Sequence, residues 1–328
     1  MEIITEKKYR FVIPEGKRKE RLDVFLTHSI VNSTRTKVQS LIKNQQVKVN
    51  DKFVKPSYQL IPGDVVEVTI PVKPRPSKTL PEPIPLNIIY EDEDIIILNK
   101  PAGMVVHPAL GNYKGTLVNA LLYHTQNLSK ISEVERAGIV HRIDKDTTGL
   151  LVVAKNDIAH AKLAKQFSSH SIDREYWAVV WGHFKDKEGI VEGHIGRSKS
   201  DRKKFAVVKE GKPAVTYYCV LEEFEYLSLV KLKLKTGRTH QIRVHLSHIN
   251  HPVFGDPTYG GRKIHFSNVT SKLKKEVEDL LAIMKRQALH AKTLGFNHPI
   301  TNLFVQFDSE LPDDIKQLLR RLGSKVIS

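Results

Sequence analysis

The chain has 328 residues, of which 40% are hydrophobic and one is a cysteine, Cys219, and its Lys and Arg residues give it a net charge of +16. This length predicts two domains of unequal size, and the single cysteine excludes an internal disulfide and argues against a thiolate metal cluster. No apolar run is long enough for a transmembrane helix, and the N-terminus lacks the apolar segment of a secretory signal, so we expect a cytoplasmic protein.

The positive charge is concentrated near the N-terminus. Residues 1–80 contain 16 Lys and Arg against 8 Asp and Glu, so a quarter of the chain holds half of the net surplus. Such a surplus destabilises a compact protein by self-repulsion unless a polyanion offsets it. We therefore expect a nucleic-acid-binding module at the N-terminus.

Residues 15–70 are predicted to form this small module. The apolar spacing of Arg21–Ile30 indicates a short helix, and Asn32–Thr34 can cap a second helix that ends at Ile42. Short strands and turns are then predicted in the order Val47–Val49, Asn50–Asp51, Pro62–Asp64 and Val65–Val68. Three basic side chains on the outer face of the second helix are candidate nucleic-acid contacts, namely Arg35, Lys37 and Lys43.

A proline-rich stretch, residues 71–85, follows the small module. Six prolines among these fifteen residues preclude a helix or a central strand, so we expect an extended, semi-rigid linker. The larger module then spans residues 86–328.

The larger module is rich in predicted strands. They are expected at Ile95–Leu98, Leu150–Ala154, Tyr176–Trp181, Val215–Leu221, Leu227–Leu234 and Leu303–Phe307. Helical spacing is found in Ile158–Ser168 and in Lys272–Leu289. Strands that follow one another with few helices between them indicate an α+β fold with a mixed, mostly antiparallel sheet.

Asp144 is the first candidate for chemistry. It lies in the stretch His141–Lys155, where a polar turn leads directly into a short apolar strand. A buried strand holds the preceding loop rigidly, and such loops often carry functional side chains. Arg142 and Lys145 in the same turn would favour the ionised carboxylate that a nucleophile requires. From this segment alone, a structural turn aspartate is the alternative.

Arg238 and Tyr176 are further candidates for the same site. Arg238 follows the strand that ends at Leu234, and its guanidinium could hold a carboxylate in one orientation through a bidentate pair. Tyr176, at the start of a strand, could stack on a base extruded from its helix. The alternatives are an ordinary surface arginine and a packed strand tyrosine.

Metals and nucleotide cofactors are not expected. Four histidines close together in the sequence lack the spacing of a common metal site, so we expect structural roles for His240, His245, His248 and His251. No Walker-type or dinucleotide-binding glycine loop is present. A separate basic loop either clamps phosphates or is simply solvated, and it contains Arg197, Arg202, Lys203 and Lys204.

Two sequence strings resemble the signatures of the RluA/RluD family of RNA pseudouridine synthases. They are H-R-I-D-K-D-T-T-G-L-L at residues 141–151 and T-G-R-T-H-Q-I-R at residues 236–243. The small module resembles an S4 RNA-binding domain, although residues 44–46 and Asp51 stand where that family usually has glycine. The resemblance therefore implies an S4 domain ahead of a pseudouridine synthase catalytic domain.

The resemblance also implies roles for four residues. Asp144 would be the catalytic aspartate, Tyr176 would lie against the target base, and Arg238 would pair with Asp144. Arg142 would support the opened RNA by filling the place of the extruded base. The expected reaction is conversion of uridine to pseudouridine in structured RNA, with 23S ribosomal RNA of the large subunit as the substrate.

Several alternatives remain open at this stage. The enzyme could act on transfer RNA, or on both RNAs, and Asp144 could attack C1′, add to C6 or remove the C2′ proton. A non-catalytic RNA-binding ribosome-assembly factor and a metal-dependent nuclease using Asp144 and Asp146 are the competing classes. In each case we expect RNA as the partner, a monomer, and no DNA or membrane partner.

Overall fold

The computed structural model of this chain describes residues 5–31, 33–72, 79–109, 111–129, 131, 136–265 and 270–326. The contacts between residues divide the chain into two units, Met1–Ser77 and Lys78–Ser328. Of the predicted linker, residues 73–78 lie outside the described residues. Its first two residues end a strand of the first unit, and residues 79–85 run along the second unit, where the side-chain amide of Asn119 donates to the carbonyl of Leu80 at 2.7 Å.

In the first unit, two helices pack on a small sheet. The helices are α1 (Leu22–Ser29) and α2 (Arg35–Lys43), and the strands are β1 (Thr5–Val12), β2 (Glu20–Arg21), β3 (Val47–Val49), β4 (Lys52–Phe53), β5 (Gln59–Leu60) and β6 (Val65–Val72). The main sheet has the order β1-β6-β3-β4, and β2 pairs separately with β5. The predicted inner faces of both helices are buried in one apolar core, which includes Leu22, Leu26, Val38, Leu41 and Ile42.

Local signals in the first unit behave as the sequence predicts. The Thr34 hydroxyl caps α2 by accepting from the Lys37 amide at 3.3 Å, and Asn32 lies outside the described residues. Asn50 and Asp51 have φ values of 47° and 64° and join β3 to β4, which confirms the predicted turn. Asn and Asp tolerate this left-handed conformation better than most residues.

The second unit is built around one large sheet. Its strands are β7 (Ile88–Glu91), β8 (Ile95–Lys100), β9 (Thr148–Ala154), β10 (Asp173–Trp181), β11 (Glu188–Arg197), β12 (Phe205–Val208), β13 (Lys212–Glu223), β14 (Leu227–Leu234), β15 (Leu289–Asn297) and β16 (Phe304–Asp308). Its helices are α3 (Leu117–His124), α4 (Asp157–Ser168), α5 (Gln241–His248), α6 (Ser271–Ile283) and α7 (Asp313–Arg321). The strand order is β12-β11-β13-β14-β10-β15-β9-β8-β7, with β16 paired to β15. The pairing of β15 with β9 is parallel and the other pairings are antiparallel, which confirms the predicted mixed α+β sheet.

The prediction of a helix over Lys272–Leu289 was wrong at its C-terminal end. Helix α6 ends at Ile283, and Leu289 begins strand β15. Between them, the Arg286 guanidinium donates to the carbonyls of Gln287 and Leu289, and β15 gains pairing partners on both sides. Tertiary pairing outweighs helical spacing here, because intrinsic helix propensity is only a weak preference.

Strand β15 lies between β9 and β10 in the sheet, so it brings the segments that carry Asp144 and Tyr176 close together. Ala291 pairs with Gly149 of β9 on one side and with Tyr176 of β10 on the other. Gly149 has a φ of 116°, and a Cβ added there would lie 2.2 Å from the carbonyl oxygen of Ala291. Glycine therefore permits β9 to approach β15 closely, which places the loop before β9 near the start of β10.

Candidate active site

A pocket of about 640 Å³ opens where the loop before β9, the start of β10 and the start of α5 converge. This volume lies in the range of small-ligand pockets, roughly 300–1,000 Å³. The four residues to which the sequence assigns roles in this site, Arg142, Asp144, Tyr176 and Arg238, all line it.

The loop that carries Asp144 is held from below by a buried lysine. The Lys100 ammonium donates to the carbonyls of Pro101 at 2.7 Å, Met104 at 2.9 Å and Lys145 at 2.9 Å. Three carbonyl acceptors match the three N–H groups of an ammonium. Burial lowers the pKa of Lys100 to about 7, against an opposing effect of Asp146. Lys100 thus ties the loop that carries Asp144 to the end of β8.

A buried arginine holds the other side of the same loop. Arg286 donates Nη1 to the carbonyl of Asp146 at 2.9 Å, and its Nε and Nη2 bind both oxygens of Asp314 at 2.7 Å. Asp314 lies in the first turn of α7. The backbone amide of Thr147 also donates to the Asp144 carbonyl at 3.1 Å, which closes the turn. The position of Asp144 is therefore fixed by groups from several distant segments.

Asp144 pairs with Arg243, whereas the resemblance implied Arg238. Arg243 donates Nη1 to Asp144 Oδ2 at 3.0 Å. Arg238 lines the same pocket but donates its Nε to the carbonyl of Pro213 at 3.0 Å, and it makes no ion pair with a described residue. The prediction that Arg238 orients Asp144 is therefore corrected. Arg238 lies in the turn before α5, while Arg243 lies in the first turns of that helix and points into the protein.

Arg243 is itself held by a fully buried carboxylate. It donates Nε and Nη2 to the two oxygens of Asp256 at 2.6 and 2.9 Å, and its guanidinium lies 4.9 Å from the centre of the Tyr259 ring. Burial alone would lower the pKa of Arg243, but the hydrogen bonds and charges of Asp256 and Asp144 outweigh it and raise the pKa. Arg243 is therefore a permanent cation. Its Nε and Nη2 are occupied by Asp256, and its Nη1 donates to Asp144.

His240 approaches the opposite oxygen of Asp144. Its Nε2 lies 3.8 Å from Asp144 Oδ1, while Nδ1 is 2.8 Å from the Tyr259 hydroxyl. Burial lowers the pKa of His240, with Asp144 opposing that effect. His240 thus lines the pocket, whereas His245 is buried beside Thr216 and His251 binds the carbonyl of Trp181.

Tyr176 forms part of the pocket wall opposite this charged group. Its side chain is buried on β10, and a register shift opposite Glu175 and Tyr176 interrupts the pairing of β10 with β15 at that point. Burial raises the pKa of the Tyr176 hydroxyl, against an opposing effect of Arg174. The pocket therefore combines a fixed carboxylate with a phenol whose side chain forms part of the wall.

Comparison with known proteins identifies the family of the chain. The RNA pseudouridylate synthase family profile matches residues 94–248, and the S4 domain profile matches residues 20–66. An uncharacterized RNA pseudouridine synthase, YlyB of Bacillus subtilis, is 47% identical over 309 residues, which cover 94% of this chain and 96% of that protein. The chain belongs to the RNA pseudouridine synthase family.

Other members of the family support the same assignment. Ribosomal large subunit pseudouridine synthase D of Zymomonas mobilis is 47% identical, with 92% of this chain and 93% of that protein covered. The solved structure of human RNA Pseudouridylate Synthase Domain Containing 4 superimposes with a TM-score of 0.55 at 25% identity, covering 72% of this chain and 93% of that one. No helix in the described part of this pseudouridine synthase is long and apolar enough to cross a membrane.

The predicted RNA contacts of this pseudouridine synthase are mostly exposed. In the second unit, Arg142 is exposed at the pocket. The predicted basic loop forms the tip of the β11–β12 hairpin, where Arg197 stacks 4.4 Å from the Phe205 ring centre and Arg202, Lys203 and Lys204 are exposed or half-buried. Phe205 contacts His240 edge-on, which joins this hairpin to the pocket.

In the S4 unit, the predicted contacts lie on the outer face of α2. Lys37 and Lys43 are exposed. Arg35 is exposed too, and donates to the fully buried Asp23 at 3.1 Å. Asp23 also accepts two hydrogen bonds from Arg21, and the pairing lowers its pKa. The buried carboxylate therefore holds two arginines at the surface of this unit.

Sequence reasoning missed Arg243, Asp256 and the roles of Lys100 and Arg286. One signal for Arg243 was present, because it stands among apolar residues in Ile242–Leu246. A charged residue inside an apolar helical window must find a partner when that helix is buried. Asp256 lies in a Gly/Pro-rich loop, and nothing in the sequence indicated that this loop would meet α5.

Proposed function

We propose that this enzyme converts specific uridines of structured RNA to pseudouridine, with Asp144 as the catalytic carboxylate. The observation that carries this proposal is the hydrogen bond from Arg243 to Asp144 at the edge of a pocket with room for a nucleoside. The pair keeps a carboxylate in one orientation beside an open space, as a reaction at a nucleoside requires.

The reaction itself needs no oxidant, reductant or energy source. The N1–C1′ bond of uridine breaks, the base turns, and C5 bonds to C1′. The proton on C5 is then lost and N1 takes up a proton, so the product is an isomer of the substrate. Asp144 can contribute by attack at C1′, by addition at C6 or by removal of the C2′ proton. All three routes require an accessible carboxylate, and the half-buried Asp144 at the pocket wall meets that need.

The proposed roles of the surrounding residues follow from their positions. Arg243 acts as the positioning residue for Asp144, and Tyr176 as the surface against which the extruded base packs. Arg142, exposed at the rim, would take the place of the base in the RNA stack. Arg238, also at the pocket, is proposed to contact RNA or substrate. The basic hairpin and the outer face of α2 would bind phosphates, which lowers the net cost of opening the RNA.

We further propose 23S ribosomal RNA of the large subunit as the substrate. Relatives from Zymomonas mobilis and Haemophilus influenzae, 47% and 44% identical over nearly their whole length, are named ribosomal large subunit pseudouridine synthase D. We also propose that the enzyme works in the cytoplasm, where this RNA is made, and that it is a monomer. Transfer RNA is the alternative substrate.

Pseudouridine mapping in ribosomal and transfer RNA tests the proposal. RNA from a strain that lacks this protein should have lost pseudouridine at specific large-subunit positions, and expression of the wild-type chain should restore it. Asp144→Asn should not restore it. Loss confined to transfer RNA would move the substrate to that class, and an unchanged map would favour a non-catalytic role in ribosome assembly.

A further inference from the structure

Arg174 is a buried cation for which the described residues supply no compensating anion. Four lysine or arginine side chains are buried in the described part of the chain, namely Lys100, Arg174, Arg243 and Arg286. Arg243 and Arg286 bind carboxylates, and Lys100 binds three carbonyls. Arg174 pairs with no described carboxylate, although its residue is only 9% exposed. A buried charge left unpaired is costly, so an arrangement of this kind indicates that a ligand supplies the partner.

The hydrogen bonds of Arg174 are also incomplete. Its Nη2 makes one long contact, 3.4 Å, to the carbonyl of Leu234, and its buried Nε has no partner among the described residues. A guanidinium has five N–H donors, so most of its donor capacity is unused. An incoming group with several acceptor oxygens would satisfy these donors.

The unused donors belong to a residue in the wall of the active-site pocket. Arg174 lies two residues before Tyr176 on β10, and both line the pocket. The guanidinium lies 5.7 Å from the centre of the Phe167 ring, which covers one of its faces. Its edges remain the directions from which a ligand can accept hydrogen bonds.

Gly237 leaves room for this guanidinium. A Cβ built on Gly237 would lie 2.9 Å from Nη1 of Arg174. This position has no left-handed backbone that would itself demand glycine. The missing side chain therefore has a steric explanation in the place that Arg174 occupies beside the T-G-R turn.

We propose that Arg174 binds an RNA phosphate next to the extruded uridine. This proposal rests on the proposed function, because it takes the pocket as the site that receives a nucleotide. A phosphodiester would supply the anionic partner that Arg174 does not have among the described residues. Its oxygens also match the planar fork of guanidinium donors. A neutral carbonyl of the base would satisfy donors but not charge. Arg174 is thus a binding residue that anchors the backbone of the extruded nucleotide while Asp144 meets its sugar or base.

Neutral phosphate analogues provide the direct test. The probe is a synthetic RNA stem-loop around a converted uridine, with one methylphosphonate at a time on either side of it. Dissociation constants are measured in the Asp144→Asn background to avoid turnover. With Arg174 present, we expect one neutral linkage to weaken binding about ten- to a hundredfold. With Arg174→Met the same linkage should have little effect, and the slope of log K against log salt should fall by about 0.7. Equal losses with and without Arg174 at every linkage would overturn the proposal.

Two matched variants separate binding from folding. Arg174→Lys keeps the charge and should retain most of the salt slope, whereas Gly237→Ala should displace the guanidinium and weaken the same linkage effect. Arg174→Met should not lower the melting temperature, because it removes an uncompensated buried charge. If Arg174→Met shows a large fall in melting temperature but binds RNA as the wild type does, Arg174 has a structural role and the proposal is wrong.

A second measurement is independent of the RNA substrate. Binding of uridine 5′-phosphate and uridine 3′-phosphate is compared with binding of uridine by titration of the wild-type enzyme. One phosphate should bind about tenfold or more tightly than uridine, and Arg174→Met should remove that preference. If neither phosphate is preferred, the proposal fails. A wild-type enzyme that shows the preference but makes no pseudouridine would instead count against the proposed function.

Discussion

Arg243 binds two carboxylates at once, and their environments set their different roles. Asp256 is fully buried and accepts two hydrogen bonds from Arg243, whereas Asp144 is half-buried, accepts one from Arg243, and lines the pocket. The buried carboxylate of Asp256 fixes the guanidinium, and the guanidinium in turn fixes the half-buried carboxylate of Asp144. Rigid support of this kind keeps a reactive group within a narrow range of geometry.

Replacement of Arg243 by lysine should therefore cost more activity than the same replacement of Arg238. A lysine ammonium cannot bind both Asp256 oxygens and Asp144 with the same geometry. We expect Arg243→Lys to lower kcat by about 10²–10³ with little change in KM. Arg238→Lys, the matched control in the neighbouring turn, should have a much smaller effect on kcat. Tritium release from 5-labelled uridine in RNA measures both. Equal losses of kcat in the two variants would contradict the positioning role of Arg243.

Arg238 and Arg243 show how far the arginine partner of Asp144 could be predicted from the sequence. The resemblance implied Arg238 as the partner of Asp144, whereas the structure has Arg243, which stands five residues further along the same T-G-R-T-H-Q-I-R string. The choice depends on where α5 begins, since its first residue is Gln241. Helix boundaries are the least certain part of sequence-based prediction, and here the boundary decides which guanidinium points inward.

Among the elements, the contact of β9 with β15 depends on a single glycine. Gly149→Ala should lower the free energy of unfolding by about 3 kcal/mol or more, because the new Cβ would overlap the Ala291 backbone and the φ of 116° is unfavourable for alanine. Gly323→Ala is the matched control, with a φ of 72° and open space around its Cβ, and should cost about 1 kcal/mol. Urea unfolding followed by tryptophan fluorescence reports this unit, since both tryptophans lie on β10. Similar losses in the two variants would contradict the steric account.

Helix α2 ends in a turn that carries an unfavourable residue. Gln45 has a φ of 57°, and the amides of Gln45 and Gln46 donate to the carbonyls of Ile42 and Leu41, the pattern of a Schellman cap. Gln45→Gly should raise the stability of the first unit by about 1 kcal/mol, because glycine adopts this conformation without strain. Asn44→Gly, at a φ of −85°, should not stabilise. Amide hydrogen exchange of β3 measures the effect. If neither variant exchanges more slowly than the wild type, the prediction is wrong.

Elements with strong periodicity were predictable and those with mixed composition were not. Strand β14 has the predicted bounds, Leu227–Leu234, because apolar and lysine residues alternate over its second half. Strand β11 contains glycine, glutamate and histidine between its apolar residues, and no strand was predicted there. The same holds for α5, whose buried faces include Arg243 and His245 as well as apolar residues. Polar residues that are paired only through the tertiary structure hide such elements from pattern-based reasoning.

At the scale of the whole molecule, buried histidines link stability to pH. Burial lowers the pKa of His141 to about 3, of His245 to about 4 and of His290 to about 3. His290 is held between the hydroxyls of Thr148 and Ser309, and His141 accepts a hydrogen bond from the Val152 amide. These groups are neutral in the folded protein at pH values where the unfolded chain, with a histidine pKa near 6.5, takes up protons.

Acid should therefore destabilise the second unit below about pH 6.5. Between the folded and unfolded pKa values the unfolded chain binds more protons than the folded protein. Each such histidine therefore lowers the free energy of unfolding by about 1.4 kcal/mol for every unit by which the pH falls in this range. His290→Gln should make the loss between pH 7.5 and 5.5 smaller by about 1.4 kcal/mol, even though the variant is less stable at both values. Urea unfolding at the two pH values tests this. An unchanged difference would show that His290 is not responsible.

We propose that Asp144 performs the chemistry in a pocket assembled from distant parts of the chain. Asp144→Asn retains the shape of the side chain but removes the carboxylate, so RNA binding and catalysis separate in one variant. Single-turnover pseudouridine formation, measured beside the dissociation constant for the same RNA, tests the claim most directly. We predict that the variant binds RNA within about threefold of the wild type and forms no detectable pseudouridine. Turnover at a rate close to that of the wild type would contradict the account.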